Sequence, residues 1–135
     1  MALMHLGLPQ QRNLYGRLLD VDEERLRCVL KCALSLSEEE ARVLAYLVRS
    51  GRGSLASDIA ATLGRNPEVV RRALRSLYAR SLATRRPYPL RRGGRAYLYE
   101  ARQSLVEAIA DLCLKMEEFT KRVGSVALPE ARTSA

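Results

Sequence analysis

Apolar positions recur with a helical period over most of the chain and give way to alternation once. Val21, Leu26, Val29, Leu30, Ala33 and Leu34 share a stripe behind Asp22, Glu23 and Glu24, acidic residues that suit a helix N-terminus, so a first helix is predicted over 21–34. Ser37 followed by Glu40 has the form of a capping box. The set Ala41, Leu44, Ala45, Leu47 and Val48 then keeps a helical period until Gly51, which predicts a second helix. Ser54 is a candidate cap for a short third helix through Leu55, Ile59, Ala60 and Leu63, closed by Gly64. The fourth helix has the sharpest start. Asn66 is a favoured N-cap, Pro67 fits a first position that needs no backbone donor, and Glu68 sits in the first turn ahead of the buried stripe Val70, Leu74 and Leu77.

After Leu82 the period changes. Two short extended runs flank Pro87, Pro89 and the pair Gly93 and Gly94, the pattern of a β-hairpin. From Arg102 to about Val123 a long helix is predicted, because Leu105, Ile109, Leu112, Met116, Phe119 and Val123 are spaced as a heptad seam. A seam of this length exceeds what one small domain needs to cover itself, so a homodimer through Leu105, Ile109, Leu112, Met116 and Phe119 is expected. The alternative is a helix folded back on its own domain. Residues 1–20, with Gly7, Pro9 and Gly16, show no period and are expected to form an N-terminal arm; 124–135 are expected to be a flexible tail. The fold class is therefore mainly α with a small β-hairpin, in a chain whose 135 residues fit one compact domain and an oligomerisation element.

Charge sharpens this outline. The formal net charge is +8, but residues 65–99 hold ten Arg and one Glu, or +9, which leaves −1 for everything else. A positive field confined to one segment is the footprint of a surface that meets a polyanion. At about 100° per residue, the face of the fourth helix opposite Val70, Leu74 and Leu77 collects Arg65, Glu68, Arg72 and Arg75, with Arg71 on its flank. A helix with that face fits a major groove about 12 Å wide, where Arg72 and Arg75 can fork onto guanine edges. Arg91, Arg92 and Arg95 surround the glycine turn of the hairpin, within reach of phosphate or minor groove. Asn66 and Glu68 complete the candidate DNA-binding set; Glu68 either accepts from a cytosine amine or, the reading preferred here, stabilises the helix start.

The order of helix, short helix, "LGRNPEVVRRALRSLYARSLATRR" and "RRGGRAYLYEA" resembles the winged helix-turn-helix domain of TrmB and MarR-like transcription regulators from archaea and bacteria, over residues 34–101. Leu63, Val70, Leu74, Leu77 and Leu82 match its apolar framework. The resemblance implies that residues 67–80 form the recognition helix and the hairpin the wing. With the periodicity described above, the chain divides into a DNA-binding unit at 21–101 and a dimerisation helix at 102–123. Ser81 departs from the pattern, which has glycine where that helix ends.

Other signals are weaker. Cys28 and Cys32 share a helix face and with Cys113 could form a thiolate site, but three cysteines without close-set pairs make no disulfide framework, and burial as small hydrophobes is the expectation. His5 has no partner in the sequence. Tyr97 and Tyr99 lie on one strand face and are expected to pack the hairpin rather than stack on bases. No phosphate loop, paired acidic constellation or nucleophile with a base is present, so neither an enzyme nor a cofactor is expected. No apolar run approaches the ~18 residues of a spanning helix, and "MALMHLGLPQQR" lacks a secretory pattern, which leaves a cytoplasmic protein with no membrane partner. The expected partner is double-stranded DNA, read specifically by a dimeric regulator. An architectural chromatin protein or a winged-helix protein-interaction module are the alternatives.

Overall fold

The computed structural model describes residues 22–134, with side chains to Ser125. Helices α1 (Glu23–Leu34) and α2 (Glu38–Ser50) are followed by the short strand β1 (Ser54–Leu55), then α3 (Ala56–Leu63) and α4 (Pro67–Ala79), the hairpin β2 (Ala83–Pro89) and β3 (Arg95–Ala101), and the long helix α5 (Gln103–Ser134). The three strands form one antiparallel sheet in the order β1-β3-β2.

The local signals act where the sequence puts them. Ser37 Oγ accepts from the Glu40 amide at 3.2 Å and Glu40 Oε1 accepts from the Ser37 amide at 2.9 Å, the reciprocal capping box of α2. Gly64 ends α3 at φ 64°, and Asn66 opens α4 by accepting from the Glu68 amide at 2.8 Å. Ser81 takes the place of the expected glycine by adopting φ 62° itself. The amides of Ser81 and Leu82 donate back to the carbonyls of Tyr78 and Leu77, both at 3.0 Å, which is the Schellman closure of α4. Arg102 Nε donates to the Ser81 carbonyl at 2.6 Å and holds this corner against the start of α5.

Leu26 and Leu30 of α1, Val43, Leu44, Leu47 and Val48 of α2, Ile59 of α3, and Val70, Leu74 and Leu77 of α4 make a continuous core. Ala83 and Tyr99 of the sheet close it on one side, and Val106, Ile109 and Ala110 of α5 on another.

Four expectations change. Ser54 does not cap α3: it lies in β1 opposite Tyr99, while Leu55 is the N-cap and supplies no side-chain bond. A two-residue strand has no period to betray it, and it gains its backbone partners only from β3. Cys28 and Cys32 are exposed, because Leu26, Val29 and Leu30 fix the buried face of α1 on its other side. Ile109 is buried at 4% in the chain's own core, with Leu105 packed against the same cluster, so the first part of the heptad seam serves the domain itself. The last helix also runs past Gly124 to Ser134, its backbone remaining helical through a stretch read as a tail. Val21, His5 and the arm lie outside the described residues.

Candidate nucleic-acid interface

Helix α4 buries Val70, Ala73, Leu74 and Leu77 and leaves Arg71, Arg72 and Arg75 exposed on the other side. Glu68 sits among them. Its carboxylate accepts from Arg71 Nη1 at 3.5 Å and Arg75 Nη2 at 3.3 Å, so one acidic group near the helix start holds two of the three guanidinium groups. Arg72 has no acceptor among the described residues.

The other arginines divide by what they touch. Arg65 pairs with Glu39 on α2, its Nε donating at 3.3 Å, and so ties the turn between α3 and α4 to the preceding helix. Arg80 donates to the Leu34 carbonyl at the end of α1. Arg86 lies 3.9 Å from Glu100 across the hairpin. Arg91, Arg92 and Arg95, around the turn formed by Gly93 at φ 84° and Gly94 at φ 88°, are exposed and without acceptors among the described residues. The unengaged positive charge of the segment is therefore concentrated on Arg72 and the hairpin tip.

Arg85 was not among the candidate residues, and its setting is the most specific of all. Its guanidinium lies 4.0 Å from the ring centre of Tyr78 at the end of α4 and 4.1 Å from that of Tyr97 on β3, while Nη1 donates to Tyr99 Oη at 3.5 Å. Cation–π contacts at this range join helix and wing through one side chain. The hydrogen bond to Tyr99 and the surrounding tyrosines raise the Arg85 pKa, so the clamp stays charged. It also occupies a face of Tyr97, in keeping with a packing role for that ring rather than a platform for bases. The register pairs Arg85 with Tyr99 and Pro87 with Tyr97, which puts all four on one sheet face. That register was the signal that the sequence lacked.

A second link fixes α4 against α2. Ser76 Oγ donates to Glu40 Oε2, the same carboxylate that closes the capping box. The bond from Ser76 is the main cause that holds the Glu40 pKa below its ordinary value, followed by the bond from the Ser37 amide.

Along α5 the exposed apolar side chains come late. Leu112 is half-buried, whereas Met116 is 41%, Phe119 67% and Val123 45% exposed. Among the described residues no group of three cysteines, histidines or carboxylates could hold a metal, and no helix is long and apolar enough to cross a membrane.

A short-helix pair leading into an arginine-faced helix, closed by an antiparallel hairpin with a glycine tip, is a winged helix-turn-helix, here carrying a long C-terminal helix. No family model and no curated protein matches the sequence. Among solved structures, the chain is similar to a possible transcriptional regulator from Methanosarcina mazei, at 20% identity over 75% of this chain and 84% of that one with a TM-score of 0.53. A mutant of MepR from S. aureus bound to an oligodeoxyribonucleotide matches at 20% identity over 99% of this chain and 98% of its own, again with a TM-score of 0.53. The archaeal chromatin protein TrmBL2 matches at 17% identity over 80% of this chain and 42% of its own, TM-score 0.53. These likenesses are of fold, the winged helix-turn-helix.

Proposed function

We propose that the protein is a sequence-specific, double-stranded DNA-binding transcription regulator that acts in the cytoplasm as a homodimer. One observation carries the reading: Arg72 on α4 and Arg91, Arg92 and Arg95 on the wing are exposed and unengaged, while most of the remaining arginines of that segment are held by carboxylates or by internal packing. In this reading α4 enters the major groove with Arg72 and Arg75 toward base edges, and Glu68 keeps Arg71 and Arg75 aimed until DNA competes for them. Asn66 and Arg65 set the start of the helix, and the wing arginines meet the backbone. The exposed stripe Met116, Phe119 and Val123 supports pairing of two chains through the outer half of α5, with Leu112 at its inner edge. Two arginine faces would then read half-sites about 34 Å apart.

The DNA-bound MepR mutant and the M. mazei protein, described as a possible regulator, support the class. The fold shared with TrmBL2 and the four unengaged arginines support a second reading, an architectural protein that grips phosphates with little sequence preference. Selection of bound duplexes from a random pool separates the two. A regulator enriches one motif with two-fold symmetry; an unchanged pool after several rounds rejects specific reading.

A further inference from the structure

On α2, Arg42, Tyr46 and Arg49 lie near half a turn around the helix from Glu40, the residue that meets α4. They face away from the arginine surface of α4. There they border a cleft of about 640 Å³ together with Glu23 of α1, Arg52 after α2 and Thr62 of α3, a size within the range of small-molecule sites.

Its charge is unbalanced. Glu23 is the one carboxylate in the lining, and its contact with Arg49 is loose at 3.8 Å. Arg42 shares Glu38 at 3.5 Å with Arg27 at 3.0 Å and Lys31 at 3.1 Å, so a single carboxylate serves three cations. The Arg52 guanidinium has no acceptor among the described residues. Arg42 Nε is buried away from solvent and has no acceptor among the described residues. Guanidinium forks match the paired oxygens of phosphate and carboxylate.

We propose that this cleft binds a small multivalent oxyanion, a phosphate ester or a polycarboxylate, through Arg49 and Arg52, with the Tyr46 hydroxyl beside them. The site is independent of DNA recognition by α4, and binding does not require a duplex.

The test is calorimetric titration of the full chain, without DNA and at low ionic strength, with inorganic pyrophosphate and separately with citrate. Saturable binding at one site per chain is expected, weakened about tenfold or more by Arg49→Gln and by Arg52→Gln. Arg122→Gln, an exposed change on α5, should leave it unaltered. Tighter binding of pyrophosphate assigns a phosphate ester and tighter binding of citrate a polycarboxylate. Arg52→Gln touches no protein acceptor among the described residues, so it keeps the test valid if the Arg49 variant is poorly folded. Absence of saturable binding, or equal weakening by Arg122→Gln, would overturn the proposal. So would a parallel loss of duplex affinity in Arg49→Gln measured free of both anions, since the ligand would then be the DNA backbone.

Discussion

Replacing Arg72 with Ala tests the recognition surface with little interference from the rest of the molecule. The side chain is exposed and bonds to nothing among the described residues, so the folded state should change by less than about 0.5 kcal/mol, and any loss of binding belongs to the complex. A bidentate arginine contact to a base is worth ~1–3 kcal/mol, about 5- to 140-fold in affinity at each half-site. Arg75→Ala should cost less. Arg75 must first leave Glu68, 3.3 Å away, and an exposed pair of that kind offsets ~0–1 kcal/mol. Arg92→Ala removes a backbone contact instead, so it should weaken all duplexes alike and lower the slope of log affinity against log salt by about 0.9 for each chain, about 1.8 for the dimer. Fluorescence anisotropy of the selected duplex and a scrambled one, each across a salt series, reads all three variants. The reasoning is refuted if Arg72→Ala weakens both duplexes equally and lowers the salt slope as Arg92→Ala does, because α4 would then be a phosphate clamp and the architectural reading would lead.

Phe119→Glu alters a side chain that is 67% exposed in the single chain, so folding should persist while a charge in an apolar seam costs several kcal/mol; sedimentation should then show monomer, and an intact dimer would place the interface elsewhere. Glu40 has a folded pKa below its ordinary 4.5, so its stabilising contribution is complete above that value and is lost as the pH falls through the lower one. Glu40→Gln should therefore flatten the acid limb of a plot of melting temperature against pH, and an unaltered limb would contradict the role of the Ser76 bond. Cys28 and Cys32 should react with a thiol reagent in the native protein well before Cys113, whose thiol is half-buried and pushed up in pKa by that burial; equal rates for all three would contradict the packing of α5 on the core.

What could be read from the chain beforehand follows the range of each interaction. The capping box at Ser37 and Glu40, the Asn66-Pro67 start and the glycine pair at 93 and 94 act over a few residues, and each stands in the structure where the sequence places it. Ser81 shows that the backbone requirement at the end of α4 outranks residue type, since the glycine conformation is kept without the glycine. Cys28 and Cys32 depart from the general burial of cysteine because they lie off the stripe of Leu26, Val29 and Leu30. The site was legible as a set of arginines but not in its division of labour. Glu39 meeting Arg65 and Tyr97 meeting Arg85 depend on separations of 26 residues and on hairpin register, which no local period encodes.

Helix α5 enters the core at Val106 and Ile109 and presents Phe119 to the outside without a break between them. About 15 Å of continuous helix thus separates the two environments, at 1.5 Å per residue. In a dimer built on its outer half, each reading head would be mounted on a stiff shaft and not on a tether. The distance and twist between the two arginine faces would then be set by helix geometry, and a change of one residue in shaft length would turn a head by about 100°. Such a dimer would accept one half-site spacing and phase and pay heavily in contacts for any other, so the length of this helix would act as a ruler for the sequence it selects.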